Sequence, residues 1–173
     1  LEPVGYQHLE RFHLDGTTPV WTYALADARL EKRVWMEQGA NTTYIRYELV
    51  HGSLPLHLEC KAMVNYRDFH GNTHAGEWRM TVEMVEGGLR IQAYPGATPF
   101  SLFSDRATAT FAHDWHRNYA LRVEAARGLD ATEDHLYAGR FTATLHPGES
   151  VTLVATTEPY YGRCHALVFQ RDP

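Results

Sequence analysis

Two short polar concentrations hold most of the residues that can do chemistry in this chain. The first is Asn65-Tyr66-Arg67-Asp68-Phe69-His70, placed where an apolar strand-like run ends. Polar groups crowded at a strand end are a common seat of binding in all-β scaffolds. If the segment is extended, Asp68 and His70 share a side and can act together on a hydroxyl. The competing reading is a turn in which Asp68 caps backbone amides and pairs with Arg67. The second concentration, Arg127 to His135, reads RGLDATEDH. Glycoside hydrolysis needs two carboxyl groups at a fixed separation. Glu133 and Asp134 are adjacent, so on a strand they point to opposite faces and make no catalytic pair by themselves. Arg127 with Asp130, Glu133 and Asp134 reads equally well as a charged, hydrogen-bonded loop.

Histidine is plentiful, with eleven in the chain, so metal binding has to be weighed. His70 and His74 have i, i+4 spacing but fall in a glycine-containing loop rather than a helix. His113 and His116 flank Asp114-Trp115 with no second ligand pair nearby. Zinc requires three or four converging ligands, so no metal site is expected. A phosphate-cradling glycine loop, a nucleophile elbow and a Cys-x-x-Cys pair are all missing from the sequence. No cofactor is expected. Trp35 and Trp115 are core rings or stacking platforms, with core the stronger reading for Trp35.

The elements that must position these groups are short and alternating. The stretch Leu30 to His70 contains three such runs, separated by Gly39-Ala40-Asn41 and by His51-Gly52-Ser53 with Pro55. These turn signals predict a three-stranded antiparallel meander. Within it, Thr43, Ile45, Tyr47 and Leu49 share one face against Tyr44, Arg46 and Glu48. Leu56, Leu58, Cys60 and Ala62 oppose His57, Glu59 and Lys61, as in a sheet with one wet face. Before the meander, Tyr6 to Leu14 precedes Asp15-Gly16, and Trp21 to Leu25 turns near Ala26-Asp27 into Arg29 to Met36. After it, the residues alternating from Trp78 to Met84 turn at Glu86-Gly87-Gly88 into Leu89 to Ala93. Short strands are expected at Leu102-Phe103, Thr108 to Ala112, Leu121 to Ala125, Phe141 to Leu145 and Val151 to Ala155. Cys164 to Gln170 reads as a strand or one helical turn. No dozen residues carry a helical stripe, and the punctuation by Gly, Pro and Asn predicts an all-β, antiparallel sandwich in one domain over residues 1–173.

Composition narrows the function classes. A chain of 173 residues with 44% hydrophobic and 21% charged residues can bury a real core. Its net charge of −5 and lack of a Lys/Arg stripe argue against a nucleic-acid partner. The apolar runs are too short for a membrane span. Two cysteines give no disulfide framework, and Cys60 within a strand reads as a buried free thiol, a pattern that suits a reducing cytoplasm. The ten tyrosines and four tryptophans serve a sandwich core first and can also stack on sugar rings. Leu1 in place of Met reads as the start of an excised or processed piece.

Two segments, taken in order, resemble a known family. Val34 onward gives WMEQGANTTYIRYEL and later NYRDFH, and Arg127 to Gly139 gives RGLDATEDHLYAG, followed by FTATLHPGES. Both are similar to the N-terminal domain of bacterial and archaeal glycogen debranching enzymes of the amylo-α-1,6-glucosidase type. The resemblance runs from about Tyr6 onward. It implies a galactose-mutarotase-like super-sandwich, packed in a whole enzyme on a catalytic (α/α)6 barrel that carries the acid and base. It also implies α-glucan, glycogen or maltodextrin, as substrate. Under it, Tyr66, Arg67, Asp68, His70, Glu133 and Asp134 become glycan-binding or domain-docking groups, with Trp115 as a stacking ring and no catalytic residue in this stretch. The family's opening Arg-x-Tyr-His-Gly-Leu-Leu-like strand is not in the sequence, which leaves an expected open sheet edge. Two alternatives stay open: a stand-alone mutarotase-like epimerase, using His70 with Glu133 or Asp134, and a free-standing glycan-binding module.

Overall fold

Short alternating runs bounded by tight turns build nearly the whole molecule. The computed structural model describes residues 4–68, 71–76 and 79–159. A 3-10 turn at Gly5–His8 leads into β1 (Leu9–Asp15), β2 (Thr18–Leu25), β3 (Ala28–Met36), β4 (Thr42–His51) and β5 (Leu56–Val64). Then come β6 (Thr81–Val85), β7 (Gly88–Gln92), β8 (Phe100–Ser104), β9 (Thr108–Ala120), the single helical turn α1 (Arg122–Ala126), β10 (Thr132–Leu145) and β11 (Ser150–Thr156). Two antiparallel sheets form a sandwich. The large one has the order β1-β2-β3-β4-β11-β8-β7-β6, and the small one β5-β10-β9. None of the described helices is long and apolar enough to cross a membrane.

Three sequence expectations need correction. The meander stops after β4, because β11 and not β5 pairs with β4, in the register Val151↔Tyr47 to Thr156↔Thr42. β5 crosses to the other layer and pairs with β10, with Phe141 opposite Cys60. The His51-to-Pro55 break ends a ladder, but a local break does not say which sheet receives the next strand. The second correction concerns Thr108 to Ala125. Residues 108–120 are one continuous strand, and Leu121 to Ala125 lies largely in α1 rather than in a strand. The third is that β10 begins at Thr132, so Glu133 and Asp134 sit on a strand and not in a loop. Trp78 and the segment Cys164 to Gln170 lie outside the described residues.

The alternation read in β5 sorts as expected, with Leu58, Cys60 and Ala62 turned inward and His57, Glu59 and Lys61 exposed. Between the layers, Leu89, Ile91, Leu136, Ala138 and Phe141 form one buried cluster, and Leu30, Leu49, Leu145 and Val151 another. The outer face of the large sheet is less wet than the pattern predicts. Tyr44 is buried there with Phe103 and Val154, and Trp35 stacks on it at 5.3 Å between ring centroids and 11° between planes. Two large rings facing each other across a strand pair exclude water without a third layer.

The long strand β10 bends over the core at a bulge. Its register slips between Tyr137 and Gly139 against both neighbours. Gly139 has φ 154°, and a Cβ there would run into the carbonyl oxygen of Thr110 and the side chain of Leu89. Only glycine fits that close approach.

Candidate functional site

The two polar concentrations meet at one end of the small sheet, where β5 ends at Val64 and β10 begins at Thr132. Antiparallel pairing of Val64 with Leu136 brings Asn65 and Arg67 alongside Glu133. Glu133 is buried, 3% exposed. Its Oε1 accepts from Asn65 Nδ2 at 3.0 Å and faces Arg67 Nε at 2.5 Å. His135 Nε2 lies 3.7 Å from the other oxygen, and Asn65 Nδ2 lies 3.4 Å from His135 Nδ1. A carboxylate out of water needs such donors, because burying it unpaired is costly.

Arg67 therefore reaches back to Glu133 rather than to Asp68. Its Nη1 also donates to the carbonyls of Asp68, at 3.3 Å, and Gly71, at 2.9 Å. The expected Arg67–Asp68 pairing gives way to this arrangement because a buried carboxylate attracts a guanidinium more strongly than an exposed one does. The other half of the turn reading holds, since Asp68 Oδ1 accepts from the Gly71 N–H at 2.6 Å.

Asp134, 5% exposed, closes the site from the other side. Adjacent strand residues alternate faces, yet Glu133 and Asp134 are both buried. Alternation persists, because the extra residue of the bulge between Glu133 and His135 lies on β9. Glu133 is covered on one side by Asn65, Arg67 and His135, and Asp134 on the other by Thr73, Ala75 and Asn118. Asp134 Oδ1 accepts from the Asn118 N–H at 2.8 Å, and Oδ2 from the Ala75 N–H at 2.7 Å. Those two backbone donors, Asn118 first, hold its carboxyl below the usual range, against the opposing effect of burial. Its own N–H donates to Thr73 O at 2.7 Å. Residues 71–76 are thus laced to β10: Asn72 Nδ2 donates to the carbonyls of Asp130 and Thr132, and His74 Nε2 lies 2.7 Å from Asp130 Oδ2. That contact is the main reason the Asp130 carboxyl sits below its ordinary value. Arg117 Nη1 donates to Ala75 O at 3.1 Å.

Of the residues singled out in the sequence, Tyr66, Arg67, Asp68, Glu133 and Asp134 come together on this rim. Trp115 lies opposite Leu136 on β9 and packs, half-buried, against the first core cluster. His70 lies outside the described residues. Tyr94 is the residue that sequence reasoning missed. It was visible only as part of a chain break at Tyr94-Pro95-Gly96, yet its ring meets Tyr66 edge-on at 5.8 Å and is 46% exposed. An aromatic followed by Pro-Gly was the available signal, because a turn displays the ring that precedes it. Among the described residues no group of three or more His, Cys, Asp or Glu side chains can hold a metal ion.

The arrangement is a fixed rim of charged donors and acceptors beside an exposed ring. Both buried carboxylates are held by the protein's own donors, Asp134 by two backbone amides and Glu133 by Asn65 and Arg67. Compared with known families, residues 1–152 match the family described as glycogen debranching enzyme N terminal. No curated protein matches the chain.

Proposed function

The chain belongs to the glycogen debranching enzyme N-terminal family, and we propose that it is the non-catalytic domain that lines the glycan site of such an enzyme. In this reading it holds α-glucan during glycogen or maltodextrin breakdown. Hydrolysis of α-1,6 branch glucosyl residues falls to an (α/α)6 barrel of the same enzyme.

The observation that carries this reading is the rim itself. Arg67 is fixed by Glu133 and by two carbonyls, next to the Tyr66–Tyr94 edge-on pair. Sugar hydroxyls call for fixed charged donors and acceptors, and pyranose C–H faces call for an exposed ring. Groups already held in place lose little freedom on binding. The epimerase alternative needs an acid and a base converging on the ligand. Both oxygens of Asp134 accept backbone amides, and Glu133 faces Arg67, which supports a holding role over proton transfer.

Electrophoresis of the chain in a gel containing glycogen tests the proposal. Retarded migration, lost in Tyr94→Ala, is expected, together with no glucose released from branched maltodextrin by the chain alone. Unretarded migration of the folded wild type overturns it, as does glucose release abolished by Asp134→Asn.

A further inference from the structure

We infer that the glycan site continues from the rim onto the outer face of the small sheet, as a second glucan-binding stretch built on Tyr119, His135, His116 and Tyr137. The inference rests on the glycan reading of the rim and extends it. Along β10, Leu136 and Ala138 face the core, so His135 and Tyr137 face outward with Glu133. Cross-strand partners share a face. Tyr119 lies opposite Glu133, His116 opposite His135, and Tyr137 between Asp114 of β9 and Met63 of β5. The four rings therefore form one row that starts at the buried carboxylate of the rim.

A bulge in β9 makes that row. Residues three apart on a regular strand point to opposite faces, and His116 and Tyr119 are three apart. Between them β9 has one residue more than β10 does, and Asn118 takes φ 61°. Asparagine tolerates that left-handed conformation better than most residues. The extra residue returns Tyr119 to the face of His116. The bulge is pinned, because the Asn118 N–H donates to Asp134 Oδ1 at 2.8 Å. The rings are held as well: Tyr119 meets His135 edge-on at 4.6 Å, and His116 meets Tyr137 at 5.9 Å. His135 Nε2 in turn lies 3.7 Å from Glu133 Oε2.

The chemistry of this face sets the chemistry of its ligand. Phenol and imidazole rings offer apolar faces together with hydrogen-bonding edges, which suits the C–H faces and hydroxyls of a pyranose. Glu59 pairs with Arg140 at 3.2 Å, and Lys61 stands 6.0 Å from the centre of the Tyr137 ring, with Asp114 on that ring's other side. Two acids balance two bases, so the face calls for an uncharged ligand rather than a phosphate or a carboxylate. Tyr119 and His116 also wall a groove of about 590 Å³, together with Tyr6 and His8 of the 3-10 turn and Lys61 and Met63 of β5. The groove reaches on to Tyr23 and Tyr47 of the large sheet. Its volume is ordinary for a small-ligand site, which spans about 300–1,000 Å³. From Glu133 to Tyr137 the strand covers about 13 Å, so a glucan chain longer than the rim finds its next sugar residues here.

The test is calorimetric titration of the whole chain with maltoheptaose, beside proton NMR of its histidine side chains. His116→Ala, an exposed substitution, is expected to weaken binding about fivefold, and Tyr119→Leu about tenfold. The imidazole signals of His116 and His135 are expected to shift with bound sugar. Tyr94→Ala, at the rim, is expected to weaken binding too. Unchanged affinity in both His116→Ala and Tyr119→Leu overturns the inference, and so do imidazole signals that stay fixed at saturation. If Tyr94→Ala alone weakens binding, the rim reading stands and this extension falls. If the folded wild type binds no maltoheptaose, both fall.

Discussion

The rim holds together through two buried carboxylates, and each makes a different prediction. Glu133 is buried and Arg67 is its charged partner, with Arg67 a third exposed. Removing a partner from a fully buried pair costs about 3–5 kcal/mol. Solvent already screens one side of this pair, and Asn65 remains as a donor, so Arg67→Ala should cost about 2 kcal/mol in denaturant unfolding. A loss near zero would mean that Glu133 is satisfied without it. Asp134 predicts a pH dependence. Its carboxyl titrates below the ordinary 3.8 because two backbone amides bind the charged form. Its stabilisation is complete above that ordinary value and is lost as pH falls through the lower, folded one. Wild type should therefore exceed Asp134→Asn in stability at neutral pH, and the two should converge in strong acid. A gap independent of pH would contradict the pin.

At the scale of the element, β10 is irregular from Tyr137 to Gly139, between the rim residues Glu133 and Asp134 and the rest of the strand. The strand must pass close over β9 and Leu89, and Gly139 is the residue that allows it. Gly139→Ala would force either the bulge or β9 to shift, at a cost of about 3 kcal/mol or more. Urea unfolding checks this, and an unchanged midpoint would mean that the bulge relaxes freely. The β1–β3 run and the β6–β7 hairpin were legible because Gly16 and Gly87 turn between alternating residues and each strand pairs with its neighbour. The start of β10 was not, because Glu133 and Asp134 are buried on opposite faces by distant segments, Asn65 and Arg67 on one side and residues 73–75 with Asn118 on the other, so charge no longer marks the exposed face. Neither was the crossing of β5, since alternation gives a strand's faces but not its partner. The rim was half legible. Asp68 capping Gly71 is a local motif, whereas Arg67 with Glu133 spans 66 positions of sequence separation and leaves no local trace.

At the scale of the molecule, the described strands form an eight-stranded sheet over a three-stranded one. The rim that we propose to hold glycan lies where β5, β9 and β10 end, rich in charge and fixed by internal hydrogen bonds. The glycan claim is tested most directly by calorimetric titration of the folded chain with branched maltodextrin, beside a Tyr66→Ala/Asp68→Ala variant. The account predicts a saturable heat that the variant loses while its core stays folded. A flat titration from folded wild type, or the same heat from the variant, would contradict it.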